Sequence, residues 1–162
     1  MPYQMKVDGM TEVSDLLGKL EQQAPAVAAQ ALYDGAGIMA GEIRKGAESI
    51  RTAPFKYAAH GSTRLPSPEE KEIVVAAGAG IAKFDKDGTE VNTSVGYRAS
   101  GYANLNGKQK PIPQIVNAIN SGTSFMGKQP FIRKAASSGS PRAMQAMKDK
   151  IEQAFEAITK NK

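Results

Sequence analysis

Met144, Met147, Ile151, Phe155 and Ile158 step along the chain by 3, 4, 4 and 3 residues. That spacing puts five large apolar side chains on one stripe of an α-helix, and such a stripe is stable only against another element. Ser140 and Pro141 stand just ahead, in the places of an N-cap and a first helical residue, so the spacing predicts a final helix starting there. A methionine stripe of this kind reads as core. The N-terminal region carries the same signal: Val13, Leu16, Leu17 and Leu20 fall at i, i+3, i+4 and i+7, with Thr11 placed to cap them. A second helix is expected from Pro25 through Val27, Ala31, Ile38 and Ile43 towards Ile50. It is rich in small residues (Ala28, Ala29, Ala36, Gly37, Ala40, Gly41). Each glycine costs a helix about 1 kcal/mol, so close approach by another element is the expected compensation.

Between these helices the periodicity changes. Pro54, Gly61 and Pro66 mark residues 51–66 as a long loop that also carries Arg51, Lys56 and Arg64. Ser67-Pro68-Glu69-Glu70 reads as a cap, a first-turn proline and a capping-box glutamate, predicting a short helix through Val75. Ile81–Phe84 and Thr89–Tyr97 read as two arms of a hairpin around an Asp85-Lys86-Asp87-Gly88 turn, the second arm alternating Val91, Thr93, Val95, Tyr97. Residues 98–111 read as a loop, and Pro113 opens a helix with Ile115, Val116 and Ile119 on one side. The expected fold class is α+β. One domain, 1–162, has a helical N-terminal segment and a C-terminal amphipathic helix packed on a small antiparallel sheet.

Composition bounds the chemistry. The 162 residues include no cysteine and one histidine, His60, which leaves no disulfide framework, no thiolate metal site and no two-histidine site. The opening MPYQMKVDG has no apolar stretch of a signal peptide, and no apolar run approaches a membrane span, so a cytoplasmic origin is expected. The net charge of +5 is unevenly placed. Residues 1–90 hold 10 basic and 13 acidic side chains; residues 91–148 hold eight basic ones (Arg98, Lys108, Lys110, Lys128, Arg133, Lys134, Arg142, Lys148) and no carboxylate. The last fourteen residues balance three against three. The asymmetry predicts a positive surface suited to a polyanion or an acidic protein face, the plain alternative being a solvated basic face.

The candidate catalytic motifs fail one by one. Gly122, Gly127 and Lys128 match the start of a phosphate-binding loop, but Gln129 stands where the motif needs Ser or Thr, and Pro130 follows. Asp85-Lys86-Asp87-Gly88 lacks the third ligand and closing glutamate of a calcium loop. Gly35-Ala36-Gly37 and Gly78-Ala79-Gly80 have no strand–turn–helix setting for a dinucleotide. His60 has no nucleophile motif around it, and Glu69, Glu70 and Glu72 carry no mark of acid–base pairing. No catalytic, cofactor or metal site is expected, and the chain reads as no enzyme.

The C-terminal third is more specific. Val95-Gly96-Tyr97 ends the hairpin, Pro113–Asn120 follows, then Ser121-Gly122-Thr123-Ser124, then Gln129-Pro130-Phe131-Ile132-Arg133-Lys134-Ala135, then a basic helix. This layout resembles the tail-component family of long-tailed bacteriophages and prophages, whose members are neck, head–tail joining and tail-completion proteins. The family pattern is E-x-G-T-S, a short spacer, P-F-I/L-R-P-A and a final helix. The motif is recognisable over about residues 89–160, and residues 51–80 match poorly. Asn120 stands where the family often has an acid, and Lys134 where it often has proline. The resemblance implies a structural virion protein, assembled in the host cytoplasm, that forms a six-fold ring around the DNA channel. Its partners would be its own copies, neighbouring tail-tube, terminator or connector proteins, and DNA, with no membrane. In that setting Gly122 and Thr123 shape a turn, Pro130 introduces a short helix, and Phe131 and Ile132 anchor it with Ala135. Arg98, Lys108, Lys110, Lys128, Arg133 and Lys134 are the expected DNA-facing or interface residues. A tail-terminator ring, or a free sequence-independent nucleic-acid-binding protein, are the alternatives.

Overall fold

The computed structural model of the chain describes residues 10–87 and 90–160. Two long helices dominate it. Helix α1 runs Met10–Glu48, 39 residues, or roughly 58 Å at the rise of an α-helix. The stripe at 13–20 and the small-residue helix are therefore one element: Pro25 lies inside α1 and Thr11 within its first turn. A proline removes one helical hydrogen bond and crowds the preceding turn. Residues 21–26 are all exposed, so water can satisfy the carbonyl that Pro25 leaves without a donor.

The last helix, α4 (Phe131–Lys160), repeats the lesson. Pro141 is internal to it, and Ser140 is no cap: its hydroxyl donates back to the Ala136 carbonyl at 2.7 Å. The short helix expected after Pro130 is the first turn of α4, which runs on without interruption. Both prolines are good first-turn residues by local preference, and in both cases packing between α1 and α4 overrides that preference.

The two helices run antiparallel. A Cβ built on Gly46 would lie 3.1 Å from the Phe131 carbonyl oxygen, one on Gly139 3.0 Å from Met39 Sδ, and one on Gly35 2.8 Å from Met147 Cγ. Gly35, Gly46 and Gly139 thus bring the backbones together, but two glycines of the expected stretch do not: a Cβ on Gly37 or Gly41 would meet nothing within 4 Å among the described residues. Ala31, Ala36, Ala40, Ala135 and Ala143 are buried. Arg142 and Lys45 both pair with Glu42, at 2.5 and 3.1 Å, and hold its carboxyl below the usual range.

The remaining elements form a head around the C-terminal half of α1. Helix α2 (Pro68–Ala77) begins at the expected capping box: Ser67 Oγ accepts from Glu70 N–H, and the Glu70 carboxylate accepts from Ser67 N–H. Strands β1 (Gly80–Ile81) and β4 (Val95–Gly96) pair antiparallel, as do β2 (Asp85–Asp87) and β3 (Glu90–Asn92). The register slips by one residue between the two pairs, from Ile81↔Val95 to Asp85↔Asn92, the signature of a bulge. The hairpin was expected, but Asp85–Asp87 belongs to a strand and not to the turn; residues 88–89 lie outside the described residues.

A second hairpin occupies the expected loop 98–111. Strands β5 (Tyr102–Leu105) and β6 (Lys108–Pro111) are joined by Asn106-Gly107, with φ of 53° and 74°. Positive φ at both central residues is the two-residue hairpin turn for which Asn-Gly is the strongest short signal. It was masked by the Lys108-Gln109-Lys110 arm, which is polar throughout and shows no alternation. Helix α3 (Ile112–Ser121) follows and ends at Gly122, φ 78°.

The core sits where α1 meets α2, α3 and the start of α4. Ile43, Ala47, Ile50, Val74, Leu105, Ile115, Val116, Ile119, Met126 and Phe131 are all buried there. Tyr97, just past β4, packs edge-on against Phe131 at 6.3 Å. Its hydroxyl is buried without a hydrogen-bond partner among the described residues, and burial pushes its pKa up to about 12. The α+β class holds, with α1 as the chief partner of the C-terminal helix.

Candidate functional site

The segment 121–135 is a docking device built from local hydrogen bonds. Gly122 caps α3 by donating to the Ala118 carbonyl. Thr123 Oγ1 accepts from Phe125 N–H and Met126 N–H at 3.2 and 3.0 Å, closing the turn. Asn120 Oδ1 accepts from Ile132 N–H at 3.2 Å, so the amide standing where the family pattern often has an acid caps the first turn of α4. Gln129 clamps Arg51: its Oε1 accepts from Arg51 N–H at 2.9 Å and its Nε2 donates to the Arg51 carbonyl at 2.8 Å. Phe131 and Ala135 are buried, Ile132 is half-buried, and Arg133 and Lys134 face solvent. Pro130 stands directly before α4.

The clamp brings cations together. A groove of about 480 Å³ between the end of α1 and the start of α4 is lined by Lys45, Arg51, Lys128 and Lys134, together with Glu42, which pairs with Lys45. Arg133 joins Lys134 along an adjoining groove with Ser137 and Ser138. So Lys128, Arg133 and Lys134 share one end of the molecule. Arg98 lines a different groove, between β1 and β4. Lys108 and Lys110 are exposed on β6, outside the lining of these grooves. Lys110 acts on Glu70, whose carboxylate it helps to stabilise.

No family model, curated protein or solved structure matches the chain.

Arg51 and Lys45 were not singled out by sequence reasoning as groove residues. The place of Arg51 depends on the Gln129 clamp, which spans 78 positions and leaves no local signal, and Lys45 reaches the groove on α1, where Gly46 packs on Phe131. The loop 51–66 is held at several points. Ala53 N–H donates to the Pro66 carbonyl, and Arg64 N–H donates to the Phe125 carbonyl at 2.8 Å. The Arg64 guanidinium gives a two-point pair to Glu70, both contacts at 2.7 Å, and lies 4.8 Å over the Phe55 ring. The pinned loop presents Phe55 and Tyr57 to solvent, with Phe125 beside it.

Chemically, the basic groove offers exposed ammonium and guanidinium groups beside Glu42, whose carboxylate accepts from the Ser138 hydroxyl at 3.4 Å. It can attract phosphates or carboxylates over a Debye length. Among the described residues, no group of three or more His, Asp or Glu side chains could hold a metal ion, and no helix is long and apolar enough to cross a membrane. His60 is exposed in its loop.

Proposed function

We propose that this chain is a structural virion protein at the head–tail junction of a long-tailed phage, one subunit of a ring around the DNA channel that completes or joins the tail. The observation that carries the reading is the joined sequence Gly122-Thr123-Ser124 and Gln129–Ala135. Its apolar residues are anchors, and its cations Arg133 and Lys134 are left at the surface. The cluster of Lys45, Arg51, Lys128 and Lys134 supports a mechanism of interface formation without chemistry. Such a cluster attracts the DNA backbone without regard to sequence, or the acidic face of a neighbouring ring.

The test is deletion of the gene in its phage or prophage, with electron microscopy of the induced lysate. Full heads beside tails of normal length are expected. Overlong tails would make the protein a tail terminator. Ordinary infectious particles would overturn the neck assignment, and a free DNA-binding role would then be tested by its salt-dependent affinity.

A further inference from the structure

The α1–α4 pair extends beyond the head as a two-helix arm, residues 14–34 against 144–160. Near the head the seam is closed by alanine and glycine. Further out it carries large apolar side chains, and two helices cannot cover them. Leu17, Leu20 and Val27 of α1 face Ile151, Phe155 and Ile158 of α4 across an open groove of about 570 Å³. Leu17 is 59% exposed and Phe155 49%.

The head carries the converse surface. Phe55 and Tyr57 stack edge to face at 5.4 Å on the pinned loop, and Tyr57 is 90% exposed. Lys56 lies between them. The charges are also complementary. Arm segments 14–34 and 144–160 hold six carboxylates and four lysines, net −2, whereas residues 35–143 hold fifteen basic and eight acidic side chains, net +7. Three of the four arm lysines, Lys148, Lys150 and Lys160, already pair with arm carboxylates. Glu21 stands at the rim of the groove.

One chain cannot join its own two surfaces. From Ala24 beside the groove to Glu48 is about 36 Å of helix. Tyr57, six residues beyond the clamped Arg51, reaches back at most about 20 Å. We infer that the arm groove of one copy receives the Phe55–Tyr57 loop of a second copy, with Glu21 facing Lys56. Two different patches meeting in this way make a head-to-tail contact, which closes into a ring or runs on as a filament. The inference rests on the ring reading above and supplies its interface.

The chain has no cysteine, so cross-linking of the purified full chain is unambiguous. Leu17→Cys and Tyr57→Cys, mixed and mildly oxidised, are expected to give a reducible heterodimer, severalfold above either variant alone. The double variant should give a ladder. Glu21→Lys should weaken the cross-link and Lys56→Glu restore it. Leu17→Cys pairing with itself would mean arm-on-arm dimers and overturn the proposal. So would equal yield with Gln114→Cys, or a cross-link that appears only after residues 1–9 are removed. Because this is read on purified protein, its failure is separable from that of the gene deletion, which is read on particles.

Discussion

Arg64 and Glu70 show how one ion pair organises several segments. The Glu70 carboxylate accepts both guanidinium bonds and the Ser67 N–H while the residue is only 5% exposed. Burial alone would push its carboxyl up; the bonds from Arg64 and Ser67 outweigh burial and hold it below the ordinary 4.5. Its contribution to stability is therefore present above pH 4.5 and is lost as pH falls through the depressed folded value. Arg64→Ala strands the carboxylate and frees the Phe55 ring. The expected cost is about 3 kcal/mol at neutral pH, read from urea midpoints, and the gap from the native chain should be smaller in acid, once the pH has fallen below 4.5 and through the depressed folded value of Glu70. An equal gap at both pH values would show that the loss is packing alone.

At the scale of elements, the two internal prolines are the clearest departures from local preference. Pro25 and Pro141 each sit in an exposed stretch of a long helix. An interior proline is about 3 kcal/mol less favourable than alanine, so Pro25→Ala and Pro141→Ala should each stabilise the chain, by about 1–3 kcal/mol in urea titrations. No gain would mean that each proline introduces a helix of its own. The hairpin β5–β6 makes the opposite point, because there a local signal, Asn106-Gly107, matches the geometry it demands.

For the whole molecule, cations and several large apolar side chains are left at the surface. Arg133 and Lys134 are exposed, and substitutions at such positions move stability by only about 0.5 kcal/mol. Arg133→Glu with Lys134→Glu should therefore leave the melting temperature nearly unchanged while reducing assembly of infectious particles. Unchanged particle yield would refute a role for these two cations in contacts. The long two-helix arm and the small head divide the work: the arm presents an apolar groove, and the head presents cations and aromatic rings.

By itself the sequence determined the α+β class, the amphipathic helices at both ends, the Ser67–Glu70 cap and the existence of a hairpin within residues 81–97. Each of these follows from spacing or from groups within a few residues of one another. Tertiary structure decided what depends on distant partners. It joined the segments on either side of Pro25 and Pro141 into single helices, because the α1–α4 seam stabilises more than a proline disrupts. It drew Arg51 to the Lys128 segment through the Gln129 clamp and Lys45 to Lys134 through the α1–α4 packing, and it left Arg98, Lys108 and Lys110 elsewhere. Periodicity reports which face of an element is apolar; only packing decides which elements meet and which charges they bring with them.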